Sequence, residues 1–169
     1  MIETKTEIEK TIEKYAKRTE QLDTILQTLT KDFCAKNCPN RPYGCCGENY
    51  SAGIPEEMLL LQEKEAKENG WIQENTSTNL QCKYHAAEEG CKLKLYKPPV
   101  CMGFLCGDLR HDIDKRYSRD GENFNELMYR FRFLRLDLGS YESEKLLSYL
   151  DAAIESGNKI VVLQNNKAF

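Results

Sequence analysis

Eight cysteines in two groups of four limit the folds open to this 169-residue chain more than any other feature. Their order is Cys34-x3-Cys38-x6-Cys45-Cys46, and later Cys82-x8-Cys91-x9-Cys101-x4-Cys106. Thiolates at short spacings repel one another unless a cation neutralises them, so clusters of reduced cysteines indicate metal ligation. Four plus four suits two tetrathiolate sites, each fit for a zinc ion or a [4Fe–4S] cluster.

The expected compartment supports reduced thiols. The chain starts Met-Ile-Glu-Thr-Lys-Thr-Glu, which lacks the apolar region of a signal peptide. The chain contains no run of about 18 apolar residues, so no membrane-spanning helix is predicted. We therefore expect a cytoplasmic protein, where disulfides are rare and metal ligation is the better account of the cysteines.

The distribution of the cysteines between sites stays open. Cys34 and Cys38 are four residues apart, so on a helical turn both sulfurs face one way. Neighbours such as Cys45 and Cys46 project differently and seldom chelate one tetrahedral ion, so they suit two metals, or one of them is structural. The late cysteines can complete a site begun by the early ones, and some of the eight can be small buried apolar residues.

Two histidines are further candidates. His85 lies between Cys82 and Cys91, where it can be a ligand, a hydrogen-bond donor to a ligand, or an ordinary polar residue. His111 follows Cys106 by five residues and has the same alternatives.

The fold class indicated is mainly α with a little β. A heptad stripe from Ile8 to Phe33, with one weak position at Thr19, predicts a helix over residues 4–33. This helix either packs on its own domain or forms a homodimer contact with a second copy. Pro55 and Gly70 fit the two ends of a second helix.

The remaining elements are shorter or lie towards the C-terminus. Extended pieces are expected at 80–84 and 91–96, and helices around Phe124–Leu138 and Leu146–Ile154. We expect Ser140 to cap the last helix, Gly157 to end it, and Ile160–Leu163 to form a short β-type run. Three parts follow: the N-terminal helix (1–33), a cysteine-cluster region (34–107), and a helical C-terminal region packing on the core (108–169).

Charge and motifs exclude several functions and identify no catalytic one. The formal net charge is −3, so no nucleic-acid partner is expected. Arginines and lysines between 110 and 135 alternate with acidic residues, which indicates a mixed solvated surface. No phosphate-binding loop, radical-SAM triplet or hydrolase triad is recognisable, and whether the chain is an enzyme stays open.

Several segments together resemble the YkgJ-like cysteine-cluster family, which is named for a CxxCxxCC motif and described as a zinc- or iron-chelating domain. The resemblance covers residues 34–107. The matching pieces are Ile54-Pro55-Glu56-Glu57, Cys82-Lys83-Tyr84, Gly90-Cys91-Lys92-Leu93-Lys94-Leu95-Tyr96 and Lys97-Pro98-Pro99-Val100-Cys101-Met102.

This chain departs from the family pattern at four points. The first cysteine motif is stretched, the Cys91–Tyr96 stretch is longer by two residues, and Lys97 and Met102 replace arginines. The resemblance implies metal chelation by the eight cysteines. A flagellin lysine methylase with a similar motif and an iron–sulfur cluster adds the alternatives of a redox or sensor protein, or of an accessory or enzyme related to that methylase.

Overall fold

The computed structural model describes residues 6–38, 54–71, 82–86, 90–136 and 141–167. Within these ranges the fold is mainly helical with very little strand, as predicted. The elements are α1 (Glu7–Asn37), α2 (Glu56–Glu68), β1 (His85–Ala86), β2 (Gly90–Cys91), α3 (Pro99–Met102), α4 (Gly107–Arg132) and α5 (Tyr141–Lys167).

The first helix begins at a capping box. The Glu9 backbone N–H donates to the Thr6 hydroxyl at 3.2 Å, and the Thr6 N–H donates to the Glu9 carboxylate at 2.7 Å. These reciprocal bonds satisfy N–H groups that a helix start leaves unpaired. The helix continues to Asn37, four residues beyond the predicted end, so Cys34 lies inside it.

The apolar stripe of α1 is buried within its own chain. Tyr15, Leu22 and Leu29 belong to the main core, which also contains residues of α4 and α5 such as Phe124 and Leu150. Segments from the expected N-terminal and C-terminal parts therefore share one core. Only the first member of the stripe, Ile8, is exposed (45%). A homodimer through α1 stays a prediction.

Helix α4 doubles back at Ser118, whose backbone angles are φ 51° and ψ −128°. The Asn125 amide donates to the Arg110 carbonyl at 2.9 Å and to the Asp114 carboxylate at 2.6 Å. In a straight helix these partners would lie about 22 Å and about 16 Å away. The two halves of α4, residues 107–117 and 119–132, therefore pack against each other.

The predictions for the C-terminal helix are partly wrong. Helix α5 runs without a break to Lys167, so neither a helix end at Gly157 nor a strand at Ile160–Leu163 exists. Gly157 allows a close approach instead, because a Cβ there would lie 2.6 Å from Ile25 Cγ2 and 3.1 Å from Phe124 Cε2. Ile160 is fully buried one turn later. Tertiary packing thus overrides two local signals. The helix predicted to reach Leu138 ends earlier, at Arg132, and the described residues 133–136 are not helical. The cap predicted at Ser140 lies outside the described residues.

Helix α2 agrees with its sequence signals. It follows Pro55, and Gly70 just past its end has φ +67°, a conformation that glycine adopts at low cost. Ala66 of α2 packs with Cys82, Tyr84 and Leu93 in a second, smaller cluster. None of the helices in the described ranges combines the length and apolar character needed to cross a membrane.

The strands differ in place and length from those predicted. The first lies just after the predicted segment 80–84, whose described residues 82–84 are not strand, and the second overlaps the predicted 91–96 only at Cys91. His85 pairs with Cys91 and Ala86 with Gly90 in an antiparallel register, whereas Leu80 lies outside the described residues. Within the second of these predicted segments, Leu93 is buried and Lys94 is exposed. However, no described strand continues through 92–96, because side chains of α1 and α2 bind the backbone there.

Candidate metal centre

The early pair of cysteines lies at the C-terminal end of α1. Cys34 is in the last turn, and Cys38 is the residue that ends the helix. The i, i+4 spacing brings both side chains to the same side of the helix, as predicted. Cys34 is exposed and Cys38 half-buried.

A late cysteine joins this early pair. Cys106 lies immediately before the first turn of α4, as its N-cap residue. Partial burial raises the pKa of Cys34, and the negative charges of ionised Cys38 and Cys106 raise it further. Cys34 is therefore close enough to interact electrostatically with each of the other two, although Cys34 and Cys106 belong to different sequence groups.

Cys82 and Cys91 form a second pair around the hairpin. Burial raises the pKa of Cys82 to about 11, and the charge of Cys91 contributes in the same direction. Burial also raises the pKa of Cys91, which the ammonium group of Lys97 partly opposes. Cys82 and Cys91 are thus two largely buried thiols whose ionised forms would repel each other.

His85 lies beside this second pair, opposite Cys91 in the hairpin register. Burial lowers the pKa of His85 and so favours the neutral imidazole, the form that binds metals. Its Nδ1 atom is buried and has no hydrogen-bond partner among the described residues. This geometry suits a metal ligand or a donor to one.

The other candidates lie elsewhere. Cys101 is in α3, close enough to Tyr15 for its charge to raise the pKa of that phenol, after the larger effect of burial. His111 is exposed on α4. Cys45 and Cys46 lie outside the described residues. Within the described ranges, no three or more histidine, cysteine, aspartate or glutamate side chains are grouped so as to hold a metal ion by themselves.

The segment between Cys91 and Cys101 is held by buried polar side chains. From α1, the Tyr15 hydroxyl donates to the Lys97 carbonyl and the Thr19 hydroxyl to the Leu95 carbonyl. Thr19, the weak position of the stripe, is therefore buried for a polar reason. A polar residue at a core position of the stripe is the one sequence signal that could have indicated a hydrogen bond from α1 to this segment.

From the other side, α2 binds the same segment. The Gln62 amide donates to the Tyr96 carbonyl at 2.7 Å, and the Glu65 carboxylate accepts from the Lys94 N–H at 2.7 Å. Burial raises the pKa of Glu65, and these backbone N–H bonds oppose that effect. Residues 94–97 are thus held between α1 and α2. This contact positions the two ends of the segment, which carry Cys91 and Cys101.

Lys97 forms a buried ion pair with Asp23 of α1. The side chains are 7% and 15% exposed, so both charges are largely removed from water. The Lys97 ammonium group is directed to α1. Its described partner is therefore a carboxylate of this chain.

The donor set fits a soft metal in its chemistry, because thiols joined by an imidazole are ligands of zinc and of iron–sulfur clusters. The six described cysteines are all free thiols. No protein-family model, curated protein or solved structure matches the chain.

Proposed function

We propose that this chain is a cysteine-cluster metal-binding protein in which the metal has a structural role. The observation that carries the proposal is that Cys34, in the last turn of α1, lies within electrostatic reach both of Cys38 and of Cys106, the N-cap residue of α4. A metal bound by these thiols together with further ligands would join the end of α1 to the start of α4. Cys82 and Cys91, with His85 beside them, would contribute to a second centre.

The partition proposed therefore mixes the two sequence groups. One centre uses Cys34, Cys38 and Cys106, and the other uses Cys82 and Cys91. Cys45, Cys46 and Cys101 supply the remaining thiols in this proposal. The metal, zinc or iron, would neutralise thiolates that otherwise repel each other. Reduced thiols of this kind belong to a cytoplasmic protein.

The first experiment is metal analysis with an absorption spectrum on protein purified without oxygen and without a metal-affinity tag. We expect about two zinc ions per chain, since a structural zinc takes four protein ligands. A brown protein containing iron and sulfide would favour a redox or sensor role instead. Folded protein without any metal would overturn the proposal.

Cysteine variants then test the partition. Cys34→Ser and Cys106→Ser should each lose one metal equivalent, and the double variant should lose no more than either. Cys82→Ser should lose the other equivalent. His111→Ala is the matched control, because this exposed histidine lies outside both sets. Helical circular dichroism identifies variants that fail to fold, and independent losses from Cys34→Ser and Cys106→Ser would contradict the shared centre.

A further inference from the structure

A continuous series of arginine and aromatic side chains covers one surface of α4. The Arg110 guanidinium lies 5.4 Å from the Tyr129 ring centroid, and the Tyr129 and Phe133 rings meet edge to face at 5.1 Å. The Arg132 guanidinium lies 5.4 Å from Phe133 and 4.5 Å from Phe104. We call these five residues the arginine–aromatic patch.

The patch is open to solvent although it is rich in apolar surface. Phe133 is 63% and Tyr129 is 46% exposed, while both arginines are half-buried. Aromatic rings and arginine are the residues most enriched at the centres of protein interfaces. Large exposed rings in contact with one another therefore indicate a binding surface more strongly than scattered apolar residues do.

The patch carries positive charge that no carboxylate of the described residues neutralises in an ion pair. Neighbouring arginines are paired, as Arg116 is with Asp112 at 2.5 Å and Arg130 with Glu126 at 2.6 Å. Arg110 and Arg132 form no ion pair with a carboxylate in the described part of the chain. The Arg132 Nε atom is also buried without a hydrogen-bond partner among the described residues. The mixed solvated surface predicted for 110–135 thus contains two guanidinium groups directed to rings.

We propose that the arginine–aromatic patch binds an acidic segment of a partner protein. Carboxylates of the segment would pair with the two guanidinium groups, whose planar donors match carboxylate geometry. The exposed faces of Tyr129 and Phe133 would be covered by apolar side chains between those carboxylates. The inference goes beyond the proposed metal function and does not depend on it.

Charge favours this occupant over two others. A nucleic acid requires a basic stripe, whereas this chain has a net charge of −3 and only two unpaired arginines in the patch. A second copy in a two-fold contact would face the patch with the same patch, so four guanidinium groups would gather with no carboxylate of the patch to pair with them. Like charges in contact oppose such a dimer.

The test uses a fluorescein-labelled peptide of alternating glutamate and phenylalanine, followed by fluorescence anisotropy with the full chain. We expect binding that weakens as salt is added, and no binding of the peptide with lysine in place of glutamate. Arg110→Glu should weaken binding about tenfold or more, because carboxylate then faces carboxylate. Phe133→Ser should also weaken it while leaving the helical content unchanged, since this ring is exposed.

The matched control is Arg119→Glu, which makes the same charge change at an exposed position of the same helix. It should bind like the unchanged protein. Equal binding by Arg110→Glu would overturn the proposal. Tighter binding of oligo-dT with the same dependence on Arg110, or a dimer that Phe133→Ser converts to monomer in sedimentation, would overturn it in favour of the other occupants.

Discussion

At the scale of single residues, the buried pair of Lys97 and Asp23 differs from the exposed ion pairs in its energetic consequence. Removing two charges from water is costly, and their attraction offsets this cost only while both partners are present. The pair fixes residue 97 against α1, and the Tyr15 hydroxyl binds the Lys97 carbonyl at the same place. The lysine side chain and its backbone are thus both tied to the first helix.

Asp23→Ala should lower the free energy of unfolding by about 3–5 kcal/mol, because it leaves the Lys97 ammonium buried without its partner. Adding Lys97→Met should recover much of this loss, since no buried charge remains. Urea unfolding followed by circular dichroism measures both changes. Asp151→Ala is the control, because its pair with Arg18 is more exposed (57% and 26%) and should contribute about 1 kcal/mol or less. A double variant as unstable as Asp23→Ala alone would contradict this account.

At the scale of elements, contact between helices depends on small residues at crossings. Gly157 brings α5 against Ile25 of α1 and Phe124 of α4. Gly121 allows the two halves of α4 to approach each other, because a Cβ at residue 121 would lie 2.5 Å from the Ile113 carbonyl oxygen.

At the end of α5, the Lys167 ammonium donates to the Arg116 carbonyl at 2.7 Å. A cation at this place satisfies a carbonyl at the end of the first half of α4.

Gly157→Ala should therefore destabilise the protein by about 1–3 kcal/mol, since the added methyl group overpacks the crossing. Helix propensity alone predicts the opposite sign, a gain of about 1 kcal/mol. Thermal unfolding decides between them. Gly107→Ala is the matched control, because no atom lies within 4 Å of a Cβ there, and we expect a change of about 0.5 kcal/mol or less. Equal effects of the two substitutions would exclude the crossing as the cause.

At the scale of the whole molecule, the candidate metal centres lie at the edge of an independent apolar core. Tyr15, Phe124, Phe131 and Leu150 are fully buried in that core. The hairpin, by contrast, packs in a small cluster of its own around Tyr84 and Leu93. Stability should therefore be unequal across the chain, with the cysteine-bearing segments depending most on the metal that we propose.

Metal removal by a chelator should expose the amides of 82–106 to hydrogen exchange while α4 and α5 stay protected. The physical reason is that the core of α1, α4 and α5 contains ample apolar surface without the cysteines, whereas the hairpin does not. Hydrogen–deuterium exchange with mass spectrometry measures the difference by segment. Re-addition of the metal should restore protection, and uniform loss over the whole chain would mean that the metal instead supports a single cooperative unit.

Much of the helical structure was determined by local sequence. Thr6 and Glu9 form a capping box, Pro55 and Gly70 bound α2, and the stripe of α1 lies in the core. Each of these rests on neighbours within a few residues, where the geometry of a helix relates sequence spacing directly to position. The positions of the cysteines could also be read directly from the sequence, as could the shared side of Cys34 and Cys38.

Tertiary structure alone decided which distant groups meet. The approach of Cys106 to Cys34, the turn at Ser118 and the continuation of α5 through Gly157 have no local signal. Glycine and a run of β-branched residues favour other structures locally, but burying Ile160 in the core and bringing α5 against Ile25 outweigh that preference. Contacts between residues far apart in sequence depend on how whole faces pack, which spacing along the chain does not encode.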